Sequence, residues 1–263
     1  IVSTEFVSTG VKELDEMMDN KGYYRGSTVL VTGTAGTGKS SLAAVFSNSI
    51  CQTGERCIYF TFEEMINQIL RNMSSVNLNL QQWIDKDLLK FYAYRSPTYG
   101  LETHLLTIQN VIKEFKPHAV IIDPITNFDL IGTELEIKSM MTRLIDFLKA
   151  QQITALFTSL ATTIDPREQT EIGISSLIDS WLVLQNLEQA GERTRGITIL
   201  KSRGIAHSNQ IREFIITSNG IKLEKIYVGP NGILTGSARL DQEEQEKLHL
   251  LLQEKETLRR KKL

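Results

Sequence analysis

A chain of 263 residues with 41% apolar and 23% charged residues has enough material to bury a full core. Its 29 basic and 31 acidic side chains nearly cancel, so no global basic field favours tight, non-specific nucleic-acid binding. No apolar run approaches the roughly 18–20 residues of a membrane-crossing helix, and no signal-peptide pattern opens the chain, so a cytoplasmic protein is expected. The two cysteines, Cys51 and Cys57, lack metal-like spacing and read as buried thiols. The chain opens on "IVSTEF" without an initiator Met, which suggests a piece of something longer.

Residues 1–26 hold a short amphipathic helix in "VKELDEMM" and a turn, "NKGYYRG". The β-branched run "STVLVTG" (27–33), stopped by glycine, reads as a buried strand, and "SLAAVFSNSICQ" after it as a helix closed near Gly54. Further strands are expected at 56–62, 88–94, 118–123 and 154–159, with helices at 64–73, 102–116 and 134–150. That alternation predicts an α/β fold, its mostly parallel sheet covered on both faces. After the polar loop 161–173, strands at 181–187 and 196–202, joined through "EQAGERTR", predict an antiparallel hairpin, and 211–217 a third strand. Residues 218–237 are rich in turn formers. The expected division is a domain over 1–237 and a charged helical tail over 238–263, whose leucines suit a partner contact or merely a solvated helix.

"GTAGTGKS", residues 33–40, fits the phosphate-binding loop G-x-x-x-x-G-K-[ST] and lies between a strand and a helix. Its glycines let backbone N–H groups converge on phosphate oxygens, and the helix N-terminus adds a favourable dipole. The candidate nucleotide-binding set is Gly33, Thr34, Ala35, Gly36, Thr37, Gly38, Lys39, Ser40 and Ser41. Lys39 is expected to reach the β- and γ-phosphates of ATP, and the Ser40 hydroxyl to ligate Mg²⁺.

The run "AVIID" delivers Asp123 to a strand's C-terminal edge, where ligands bind in open α/β sheets. The plainer alternative is a turn residue before Pro124. In "IYFTFEEM" another strand ends in Glu63 and Glu64. Two acids suit a helix's first turn. A strand parallel to 27–32 would instead carry them to the phosphate edge, where a carboxylate can orient or deprotonate a nucleophile. By spacing alone, Lys201 and Arg203 share one strand face, which a solvated rim would also explain.

The set "GTAGTGKS", "TFEEM", "AVIID" and "ILKSRG" resembles the KaiC family of RecA-like P-loop ATPases, over about residues 8 to 235. "EIGISSLIDSWLVLQ" and "SNQIREFIIT" are most similar to that family's second repeat. The resemblance implies a hexamer with ATP between subunits. It makes Glu63 and Glu64 the paired catalytic glutamates, Glu63 being the better Mg²⁺ contact. Lys201, Ser202 and Arg203 would reach a neighbour's nucleotide, with Arg195 and His207 as weaker candidates. It further implies autophosphorylation of Ser175 and Ser176, with Thr170 linked to the cycle. A capping box formed by Ser176 and Asp179 is the structural alternative. The chain departs from the family at Pro124 and at Leu130, which stands near the place of an arginine, and in its tail. Two other functions share this machinery: a nucleic-acid-dependent motor of the RecA/helicase type, and an assembly module with little turnover.

Overall fold

The computed structural model describes residues 3–94, 100–161, 174–189, 192–229, 232–234, 236 and 242. Thr170, most of the loop predicted at 161–173, and all of the tail but Gln242 lie outside them. A small ribbon, β1 (Phe6–Val7) and β2 (Tyr23–Tyr24), flanks helix α1 (Lys12–Met17). The main α/β layer then alternates β3 (Thr28–Gly33), α2 (Lys39–Gln52), β4 (Cys57–Thr61), α3 (Ile66–Ser74), α4 (Gln81–Asp85), β5 (Leu89–Ala93), α5 (Leu101–Phe115), β6 (Ala119–Asp123), α6 (Glu134–Ala150) and β7 (Thr154–Leu160). A 3-10 turn, Ile125–Leu130, follows β6. The chain continues as β8 (Ser180–Gln189), β9 (Glu192–Ser202), β10 (Arg212–Thr217), β11 (Gly220–Lys225), β12 (Tyr227–Gly229) and β13 (Gly232–Leu234).

Nine strands form one sheet in the order β11-β10-β9-β8-β3-β7-β6-β4-β5. From β8 to β5 every pairing is parallel, and the β8–β9, β9–β10 and β10–β11 pairings are antiparallel. The fold is the expected α/β, RecA-like one. β4 runs parallel to β3, as expected, but β7 and β6 lie between them. The β8–β9 hairpin is tighter than the sequence implied, with Gln189 opposite Glu192. Part of the stretch read as turns is β11. Its sequence, GIKLEK, buries only Leu223 fully, so the strand lacks the apolar run that marks a buried one.

Side-chain alternation divides the core in two. Val29, Val31, Tyr59, Ile121 and Leu156 pack on the α2 side, while Leu30, Ile58, Phe60, Val120 and Phe157 pack against α5 and α6. Counting on by twos, Asp123 and Thr158 fall on the α2 face, beside the loop that precedes that helix.

Candidate nucleotide site

β3 is buried throughout and ends at Gly33, where the chain turns into the glycine loop before α2. Gly36 and Gly38 take left-handed φ of 76° and 101°, a conformation open to glycine at little cost. A Cβ on Gly38 would stand 2.7 Å from the Phe214 ring, so β10 closes the loop from behind. The Thr37 hydroxyl donates to Thr34 O at 2.8 Å. Asn186 Nδ2 and Arg195 Nε, paired across β8 and β9, hold Thr34 Oγ1 at 3.2 Å and Gly36 O at 3.1 Å. The first N–H groups of α2 lack intrahelical partners and open onto the loop.

Lys39 is buried, its Nζ donating to Gly33 O at 2.8 Å and Thr34 O at 2.9 Å. Burial pulls its pKa down, while the Asp123 and Glu63 carboxylates oppose the fall. Asp123, at the end of β6, is 6% exposed. Tyr59 donates its hydroxyl to Asp123 Oδ2 at 2.6 Å, and Thr158 donates to Oδ1. Burial, then the Asp123 charge, raises the Tyr59 phenol well above its ordinary value, so it stays a proton donor. An acid gripped on both oxygens from neighbouring strands is a fixed group, which the plain turn reading of Asp-Pro does not explain.

Glu63 and Glu64 lie in a bend ahead of α3, whose first turn holds no acid, so the helix-opening reading is overturned. Three hydrogen bonds brace that bend: Phe62 N to Asp123 O at 2.9 Å, Thr61 Oγ1 to Glu64 O at 2.9 Å, and Asn127 Nδ2 to Phe62 O at 3.1 Å. Burial, with the Asp123 and Glu63 charges, raises the Glu64 carboxyl above its ordinary value, against a 3.3 Å hydrogen bond from Asn72. Glu64 as a base therefore works only above a pH higher than an ordinary glutamate needs. Asn72→Ala, which removes a donor favouring the charged form, is expected to move the acid limb of a pH–turnover profile further upward. An unmoved limb would separate Glu64 from that step.

A cleft of about 410 Å³ brings Gly36, Gly38, Lys39, Ser40, Ser41, Glu63, Glu64, Asp123 and Arg195 together. The Ser40 hydroxyl and the carboxylates of Glu63 and Asp123 are hard oxygen donors of the kind that could hold Mg²⁺. Among the described residues no three His, Cys, Asp or Glu side chains cluster as metal ligands. Magnesium needs no such cage, because it keeps several waters and takes one or two protein oxygens plus phosphates. Tyr59 and Thr158 are supporting residues that the sequence reading missed. Finding them requires the strand order, which brings β4 and β7 to either side of β6.

The remaining candidates lie elsewhere. Lys201 and Ser202 end β9 and Arg203 follows it; β9 runs antiparallel to β8, so all three lie at the edge opposite the glycine loop. Arg195, by contrast, belongs to its own chain's loop. His207 is exposed, its Nδ1 3.3 Å from Ile205 O. Ser175 is half-buried and Ser176 exposed, in a turn leading to β8. No helix starts there, and Asp179 accepts from Thr28 N and Oγ1, both at 2.9 Å, so the Ser176–Asp179 capping box is not formed.

A parallel sheet with a glycine loop, a buried lysine and an acid two strands away defines a RecA-like P-loop ATPase domain. The family model described as "ATPase: KaiC" matches residues 7–227, and the chain belongs to that family. It is 48% identical over 243 residues to "Circadian clock protein KaiC2" of Synechocystis sp., covering 92% of this chain and 43% of that protein. Identity is 35% over 251 residues to "Circadian clock protein KaiC3" of the same organism, covering 95% and 50%. For "Circadian clock oscillator protein KaiC" of Parathermosynechococcus lividus it is 33% over 254 residues, covering 96% and 47%. The chain spans about half the length of these relatives. Among the described residues no helix is long and apolar enough to cross a membrane.

Proposed function

We propose that this domain binds Mg-ATP and acts as an ATPase and serine autokinase within a homo-oligomeric ring, a hexamer by analogy with the family. The observation that carries the reading is the separation of donor and acceptor within one chain. Ser175 and Ser176 lie beside the N-terminal ends of β3 and β8, where Thr28 Oγ1 donates to Leu177 O at 3.1 Å. The glycine loop lies at the opposite end of β3. Six strand residues at a rise of about 3.3 Å put roughly 20 Å between them. Transfer to these serines therefore has to come from another copy's nucleotide.

In the proposed step the serine Oγ attacks the γ-phosphorus as the bond from that phosphorus to the β–γ bridging oxygen breaks. The hydroxyl proton passes to a glutamate carboxylate, and ADP leaves. The raised Glu64 carboxyl suits the proton acceptor, leaving Glu63 for the metal side. Lys39 neutralises charge on the leaving phosphates. Ser40, Glu63 and Asp123 would hold Mg²⁺, directly or through water, and the bound ion would supply further neutralisation of phosphate charge. Water in place of the serine gives hydrolysis by the same route.

Mixing two variants tests this. A Lys39→Ala chain keeps its serines but lacks the phosphate lysine, and a Ser175→Ala/Ser176→Ala chain keeps its loop. With γ-labelled ATP, label is expected on the 174–180 segment of the Lys39→Ala chain only when both are present. Label confined to serines of chains with an intact Lys39, in mixtures with wild type, would overturn transfer between copies.

A further inference from the structure

Three consecutive carbonyls of the serine turn are held from below. Lys201 Nζ donates to Ser175 O at 2.8 Å, and Arg203 Nη2 to Ser176 O at 2.7 Å. Lys149, at the end of α6, stands 3.5 Å from Leu177 O, which the Thr28 hydroxyl also reaches. One carboxylate faces these three cations: Asp179 lies 2.8 Å from Lys149 Nζ and 4.0 Å from Arg203 Nη1. Burial would raise the Asp179 carboxyl, but hydrogen bonds from Lys149 and Thr28 outweigh it and hold the group below its ordinary range. Lys201 is pushed down by burial and by the Arg203 charge. Among the described residues, three positive groups against one negative leave the turn resting on surplus positive charge.

Two of these cations, Lys149 and Arg203, and Asp179 also line a cleft of about 680 Å³ together with Arg25 and Ser27. Ser27 is 8% exposed, and its buried hydroxyl has no hydrogen-bond partner among the described residues. A buried, unpartnered hydroxyl beside excess cations fits an anion with several acceptor oxygens.

The geometry points to a phosphate-monoester receptor made of Lys149, Lys201 and Arg203, with Ser27 as a further donor, whose ligand is the phosphate on this chain's own Ser175 or Ser176. A serine's hydroxyl is only a few covalent bonds from its own carbonyl, so cations on those carbonyls are already in reach of a phosphate on Oγ. This rests on the autokinase reading and extends it to regulation. Phosphorylation would turn Lys201 and Arg203 toward their own chain's phosphoserine and away from a neighbour's nucleotide, so that the product of transfer restrains the next round.

The test installs phosphoserine at 176 during translation, in a Ser175→Ala chain purified free of nucleotide. Failure of autophosphorylation therefore leaves the test intact. Phosphorus NMR then follows the second ionisation of the phosphate, ordinarily near pH 6. The expected result is a midpoint about one unit lower, returning toward 6 in Lys149→Met or Lys201→Gln and staying low in Lys149→Arg. A midpoint equal to that of a short phosphoserine peptide, or one that the neutral variants leave in place, overturns the receptor. In a second arm, a Ser175→Ala/Ser176→Ala chain is loaded with Mg-ATP. A γ-phosphate resonance that Lys149→Met shifts there, together with an unperturbed phosphoserine in the first arm, would assign the cations to the neighbour's nucleotide and overturn the proposal as well.

Discussion

Replacing Lys39 by alanine is expected to weaken ATP binding by at least about a hundredfold, measured by titration calorimetry. The ammonium lies on the floor of the loop, with Gly33 O and Thr34 O within 2.9 Å. From there it can give two charge-assisted hydrogen bonds to arriving phosphates, each worth about 1.5–3 kcal/mol. Their sum, roughly 3–6 kcal/mol, corresponds to about two to four decades in affinity. Arg195→Ala should cost less, because that side chain is only partly buried and holds the loop through the single Gly36 carbonyl. A Lys39→Ala chain that binds ATP within tenfold of wild type would remove the lysine from the site.

The double variant Glu63→Gln/Glu64→Gln is expected to bind ATP within a few-fold of wild type, yet to turn it over about 10²–10⁴ times more slowly. The amides keep the shape of the bend and its bracing by Thr61 and Asn127, which involves backbone oxygens. What they lose is the proton acceptor and negative charge near Asp123. Removing that charge relieves repulsion toward polyphosphate, so affinity has no reason to collapse. Single variants apportion the loss, and Glu64→Gln should carry the larger part of the proton-transfer deficit. Wild-type turnover in the double variant would return both acids to a purely structural role.

The legible parts of this site are those that the chain writes consecutively. The glycine loop is eight adjacent residues, and Asp123, Glu63 and Glu64 each end an apolar run. The rest depends on which strands become neighbours. Tyr59 and Thr158 lie 64 and 35 residues from Asp123, and only the order β7-β6-β4 makes them its partners. Helix α6 was readable to the residue because Thr133 and Glu136 cap it reciprocally in the local sequence. β11 was not, since a mostly half-exposed strand needs little apolar patterning. For Lys201 and Arg203, family likeness named a role across subunits. Their grip on the serine turn of their own chain follows from hairpin register, which no spacing rule in one strand contains.

Among the described residues the sheet ends in β11 on one side and β5 on the other. An open sheet margin offers unpaired backbone groups to any strand that approaches. β11 carries Lys222, Glu224 and Lys225, and β5 carries Lys90, which stands over the Phe115 ring and 3.3 Å from Asp87. A lysine on each margin makes strand-by-strand growth into ribbons or fibres costly in charge desolvation. That leaves the ends of the sheet, where the glycine loop and the serine turn lie, as the surfaces through which the proposed ring would form, so that association and the proposed phosphoryl transfer would draw on the same residues.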